Sequence, residues 1–255
     1  MINIKSEREI EIMRKAAKIA AGALKTAGDL IVPGISTKKL DAHMRKYIES
    51  RGGIPSFFGY KGFPANACIS VNEEVIHGIP REDRILKDGD IVKIDVGAKC
   101  NGYHGDCANT FYCGEPAGMD VKIKKLIETA RQSFFEGIKY ASVGYRVGDV
   151  GAAIQNYVES NGFSIVREYI GHAVGKNLHE KPDIPHYVEA GKGKGQRFSE
   201  NMVVAIEPMV NAGSYEVKLQ DDKWTVKTLD GSLSAHYENT VLITKNGCEI
   251  LTVAD

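Results

Sequence analysis

Asp95 and Asp106 sit in IVKIDVGAKCNGYHGDCANTF (residues 91–111), two apolar, alternating runs on either side of Asn101-Gly102. Asn-Gly suits a two-residue type I′ hairpin turn, because both central residues need φ > 0. Cys100 then faces Tyr103, and counting back from that pair puts Asp95 opposite Ala108 and Asp106 opposite Gly97. Side chains alternate with period two, so the carboxylates share one face as diagonal neighbours, roughly 7–8 Å apart at most. Two carboxylates on a buried strand pair repel unless a cation sits between them. The alternative is a solvated outer face, where charged residues mostly lie. It has to accommodate Asp95 embedded among Ile and Val, and Gly105 before Asp106, where another group can approach the backbone closely.

Further polar residues punctuate apolar runs. His172 follows Gly171 in YIGHAVG, Glu207 ends MVVAIEP, and Glu238 opens the last hairpin, whose turn reads as Asn246-Gly247. Four carboxylates gathered in one cleft carry charge −4, which two divalent cations neutralise. One metal would leave about two negative charges unpaired in a low-dielectric site. The set therefore argues for a dinuclear centre that activates a water, with Glu207 placed to take its proton. One imidazole among oxygen donors suits Mn, Fe, Co or a catalytic Zn better than a thiolate-bound structural zinc. His77, beside Gly78 and before Pro80, lies at a strand end and is a weak signal alone. His179-Glu180-Lys181-Pro182 is not HExxH, so a zincin helix is excluded. His43 falls on a scaffold helix.

These residues need a scaffold of helices and strands. Ser6-Glu7-Arg8-Glu9 is a capping box that opens a helix through Ile10, Met13, Ala17, Ala20 and Leu24, ending near Gly28. Ser36 or Thr37 starts a second, stopped by Gly52-Gly53. IPSFFGYKGFP (54–64) is too irregular for a strand; it either lines an apolar pocket or is a packed loop. Cys68–Val71 and Val75–Pro80 read as strands around the turn Asn72–Glu74. Asp120 begins a third helix through Ile138, and Asp149 opens a fourth, running to Gly162. Two halves of helix, helix and strands suggest a pseudo-symmetric α+β fold with the site between them, although the repeat is faint at residue level.

A chain of 255 residues and 27.9 kDa buries a substantial core, and we read 1–255 as one catalytic domain. The formal net charge of zero advertises neither nucleic acid nor an anionic membrane as a partner. Five cysteines without a CxxC fit reduced thiols in a cytoplasm rather than a disulfide framework. The N-terminal stretch reads as neither a signal peptide nor a membrane span.

In order and spacing, GYKGFPANACISVNEEVIHGIP, KIDVGAKCNGYHGDCANTF, IGHAVGKNLHEKP, VVAIEPMV and WTVKTLDGSLSAHYENT resemble the type I methionine aminopeptidases of the M24 metallopeptidases, over essentially the whole chain. The resemblance implies the pita-bread (creatinase/aminopeptidase) fold, two pseudo-two-fold halves around a curved antiparallel sheet covered by helices. It implies removal of N-terminal methionine from nascent chains, preferring a small second residue. The ligands of two divalent ions (Co, Mn, Fe, Zn or Ni) would be Asp95, Asp106, His172, Glu207 and Glu238, with Asp106 and Glu238 bridging. His179 would meet the substrate carbonyl and His77 the reacting nitrogen, and the methionine pocket would draw on Tyr60, Phe63, Cys68, Leu178 and Trp224. The resemblance further implies a cytoplasmic monomer that meets its substrates near the ribosomal exit tunnel, without membrane or specific nucleic acid as partner.

Three positions depart from the family pattern. Ala173 stands where Gly usually follows the ligand His, His236 where Gln is common, and Asn239 where His is common. None removes a ligand. Within enzymes the rival is a prolidase or aminopeptidase P, which carries an extra N-terminal domain, whereas only about ninety residues precede this hairpin. The rival from another class is a non-catalytic peptide- or ribosome-binding module on the same fold, which loses ligands that this chain retains.

Overall fold

A computed structural model of the chain describes residues 2–189, 191 and 193–254. In chain order, helices α1 (Glu7–Gly28) and α2 (Thr37–Ser50) precede strands β1 (Ile54–Pro55), β2 (Cys68–Val71), β3 (Glu74–Ile76), β4 (Ile91–Cys100) and β5 (Tyr103–Tyr112). Helices α3 (Val121–Ile138) and α4 (Val147–Ser160) follow. The chain then forms β6 (Ser164–Ile165), β7 (Gly171–Ala173), β8 (Glu180–Ile184), β9 (Val203–Ile206) and β10 (Met209–Asn211). The last strands are β11 (Val217–Leu219), β12 (Val226–Thr228), β13 (Ser234–His236), β14 (Glu238–Thr244) and β15 (Gly247–Ile250).

The main sheet has nine strands in the order β1-β4-β5-β14-β9-β7-β8, with β2 also on β4 and β15 also on β14. Its recorded pairings are antiparallel. The β4–β5 register is the one expected: Cys100 pairs with Tyr103, Asp95 with Ala108 and Gly97 with Asp106. Asn101 and Gly102 both take positive φ, 47° and 88°, as a type I′ turn demands.

Each half lays a helix pair on this sheet. Leu24, Leu40, Met44 and Ile48 pack with Val92, Ile94 and Val96. Leu126, Phe134, Val150 and Ile154 pack with Val204, Ile206, Val241 and Ile243. Single β-bridges, Ser36 to Ile85 and Arg146 to Arg197, stand at the start of α2 and of α4, an echo between halves that the residues themselves barely show. Alternation along β4 does the sorting: Ile94 and Val96 face helices, so Asp95 must face away from them.

Gly105 has a reason apart from ligands. A Cβ there would clash with the backbone of Ala16 and Ala17, so α1 lies directly on β5 one residue from Asp106. The Ser6–Glu9 capping box forms, with the Ser6 N–H donating to Glu9 Oε2 at 2.8 Å. Two boundaries differ from expectation. Helix α4 starts at Val147, and Asp149 sits in its first turn, its carboxylate accepting from the Arg146 N–H at 2.9 Å. In the last hairpin Thr244 pairs with Gly247, so the turn is Lys245-Asn246 rather than Asn246-Gly247. The five cysteines are free thiols, and no described helix is long and apolar enough to cross a membrane.

Candidate metal centre and apolar pocket

Five separate segments deliver the candidate ligands to one cavity: Asp95 on β4, Asp106 on β5, His172 on β7, Glu207 just past β9 and Glu238 at the head of β14. Asp106, His172 and Glu238 each offer a ligand atom within 4.8 Å of the other two. Glu207 Oε1 lies 3.4 Å from His172 Nε2. The structure thus brings together all five residues that the strands singled out.

The electrostatics are those of a basin that needs positive charge. Burial, with Asp106 and Glu207 alongside, pushes the Asp95 carboxyl well above its usual range. Burial raises Asp106 to about 7. Glu207 and Glu238 also rise well above the ordinary value, first through burial and then through neighbouring carboxylates. His172 falls to about 3, mainly through burial and then through His179, so it is a neutral imidazole. Its Nδ1 lies 3.0 Å from the Ala173 carbonyl, which assigns the proton to Nδ1 and leaves the Nε2 lone pair facing Glu207. One oxygen each of Asp95 and Asp106 is buried without a hydrogen-bond partner. Buried anionic oxygens of that kind want a cation, so the donor set fits divalent metal on the structure's own terms.

Outside the candidate ligand set, Thr240 and His186 tie down the backbone of two of the ligands, and Lys93 is buried two residues from a third. Thr240 Oγ1 donates to the Asp106 carbonyl at 2.8 Å and accepts from its N–H at 3.0 Å, joining β5 to β14 where main-chain pairing stops. His186 Nε2 accepts from the Glu207 N–H at 3.1 Å. Lys93, two residues before Asp95 on the same face, is 1% exposed and donates to the Asn72 carbonyl at 2.6 Å. None of these three stood out in the sequence: a lone His, Thr or Lys in an apolar run has no diagnostic spacing.

Two of the three departures find a place, Ala173 in the core and Asn239 in a hydrogen bond, whereas both ring nitrogens of His236 are buried without a hydrogen-bond partner among the described residues. Ala173 points away from the His172 face and its methyl joins the core with Val204 and Ile206. Asn239 Oδ1 accepts from Thr252 Oγ1 at 2.8 Å. His236 is buried and its backbone exchanges two hydrogen bonds with Thr110 Oγ1, both 2.8 Å; burial takes its ring down to about 3.

Above the basin, Phe57, Phe63, Cys68 and Leu178 cluster with Tyr60 and Trp224. Phe63 meets Trp224 edge-on with ring centroids 5.0 Å apart. The aromatic loop therefore lines a pocket, and Tyr60, Phe63, Cys68, Leu178 and Trp224 all border the same cavity as the carboxylates. Phe57 and Lys61 border it too and were not anticipated; Phe57 reads as one apolar residue among several in that loop. His179 stacks on Tyr60 with Nδ1 2.9 Å from the Tyr60 hydroxyl, and its ring centroid is 4.0 Å from that of His172. Burial, then the Lys61 charge, lowers His179 to about 4. His77 faces Trp224 and Tyr169 edge-on and takes φ 57°, the kind of strained backbone that gathers at functional sites. Burial brings it to about 4.

Clustered carboxylates and neutral imidazoles under an apolar pocket are the equipment of a metal-dependent hydrolase, and comparison with known proteins says which. The model of metallopeptidase family M24 matches residues 11–245, and the chain belongs to that family. It is 51% identical over 252 residues to methionine aminopeptidase 1 of Bacillus subtilis, covering 99% of each chain. It is 49% identical to the methionine aminopeptidase of Clostridium acetobutylicum over the whole of both. The crystal structure of methionine aminopeptidase from Thermotoga maritima superposes with a TM-score of 0.94 at 44% identity, covering 99% of each chain, and carries the same pita-bread fold.

Proposed function

We propose that this metallopeptidase removes the N-terminal methionine from peptides and nascent proteins, preferring a small second residue. The observation that carries the reading is the joining in one cavity of the acidic basin to an apolar, aromatic-walled pocket. Asp95, Asp106, His172, Glu207 and Glu238 would hold two divalent ions, drawn from Co, Mn, Fe, Zn and Ni, because four buried carboxylates need that much positive charge. Bound there, such ions supply Lewis acidity and make water a nucleophile at neutral pH.

The chain's own groups do the rest. Phe63, Cys68, Leu178 and Trp224 bury the methionine side chain and fix which amide is presented. With the Tyr60 hydroxyl donating to Nδ1, His179 keeps Nε2–H free to donate to the substrate carbonyl as charge develops on its oxygen. His77, edge-on to Tyr169 and Trp224, would meet the departing nitrogen. Glu207, held by its N–H bond to His186, takes a proton at its carboxylate from the attacking water and passes it on. That the substrates are met by a cytoplasmic monomer near the ribosomal exit tunnel belongs to the same proposal, supported by the full-length likeness to named methionine aminopeptidases.

A peptide panel tests it. Met-Ala-Ser should release methionine in a divalent-ion-dependent way, Leu-Ala-Ser at least about tenfold more slowly, and formyl-Met-Ala-Ser not at all. Equal rates on Met-Ala-Ser and Leu-Ala-Ser would reject the methionine pocket.

A further inference from the structure

We propose that Lys61 reads the substrate beyond its second residue, favouring peptides with a carboxylate at the third or fourth position over peptides with a cation there. The inference rests on the aminopeptidase reading above and adds a substrate class to it. Among the described residues bordering the cavity, Lys61 is the one lysine or arginine, and it is exposed where the rest of the aromatic wall is mostly buried. Its backbone is left-handed, φ 49°, between Gly59 at 78° and Gly62 at 91°, so a tight turn holds this residue at the rim.

The ammonium lies 5.4 Å from the centre of the Tyr60 ring, over an aromatic face rather than against a carboxylate of the described residues. Tyr60 is the residue whose hydroxyl meets His179 at 2.9 Å. Lys61 therefore carries its charge within a side chain's reach of the group assigned to the scissile carbonyl. An extended peptide advances about 3.3 Å per residue, so the third and fourth residues of a substrate leave the cavity past this ammonium. With the basin's carboxylates assigned to metal, Lys61 is the charge that remains among the described residues bordering the cavity.

The test compares kcat/KM for amidated Met-Ala-Asp-Ser, Met-Ala-Lys-Ser and Met-Ala-Ser-Ser, and for the same charges moved to the fourth position. An exposed pair changes rates by about two- to five-fold. The Asp-to-Lys ratio of the metal-loaded wild type should exceed that of Lys61→Gln by this factor, through KM rather than kcat, and Lys61→Glu should invert it. In wild type alone the ratio should collapse towards one in about 1 M salt, where the screening length is roughly 3 Å. A ratio that neither salt nor Lys61→Glu moves at either position, with Met-Ala-Ser-Ser still cleaved, overturns the role of Lys61. Failure to release methionine from Met-Ala-Ser-Ser overturns the reading beneath it instead, and the Lys61 role with it.

Discussion

Ile94 and Asp95 are neighbours in the chain and belong to opposite faces of the central sheet. Ile94 and Val96 are fully buried under α1 and α2, and every atom of that contact stabilises the fold, at about 25 cal/mol per Å² of apolar area removed from water. Asp95, with Asp106 across the hairpin, looks into a basin where burial and like charge both work against its ionised form. Burial on the helix-covered face stabilises the fold, and the buried like charge of the cleft works against it. Stability and chemistry are segregated by the two-residue alternation of single strands.

Substitutions on the two faces should accordingly have opposite signatures. The largest effect expected is from Asp106→Asn, which removes a buried carboxylate that we assign to bridging metal. It should lower kcat/KM on Met-Ala-Ser by about 10³-fold or more, while the metal-free protein melts no lower, and measurably higher, than metal-free wild type. Turnover close to wild type would break the division of labour. Next comes His179→Ala, expected to cost about 10²- to 10³-fold in kcat, as loss of an oxyanion donor does, with metal content unchanged by elemental analysis. A metal-free variant would move His179 from substrate contact to the ligand shell. The smallest kinetic effect belongs to Ile94→Ala. It should lose about 2–5 kcal/mol of unfolding free energy by denaturant titration, yet retain kcat within a few-fold at temperatures where it is folded. A Met-releasing defect larger than that would mean the two faces are coupled.

Much of this division was legible in the residue order. The turn Asn101-Gly102 set the register of β4 and β5, and through it the shared face of Asp95 and Asp106, because few dipeptides accept two positive φ values. His172, Glu207 and Glu238 were visible as polar interruptions in apolar runs. Their meeting was not, since the order β5-β14-β9-β7 depends on pairings between distant strands that no local pattern states. The aromatic loop was ambiguous for a similar reason: Phe63 and Trp224 form one wall from opposite ends of the chain. Gly105 was read as room for an approaching group, and the group proved to be α1. The turn at Lys245-Asn246 slipped by one because Asn-Gly marks a turn's neighbourhood without fixing which pair occupies it.

The clasp between Thr240 and Asp106 spans 134 positions of sequence, and it has a consequence for how the molecule comes into being. During synthesis both hairpin aspartates emerge long before the strand that completes their surroundings. Until β14 is made and slots in between β5 and β9, a nascent copy holds an open acidic gutter rather than an enzyme. If Glu238 is a ligand as proposed, a chain interrupted ahead of it should leave the basin one carboxylate short and release no methionine.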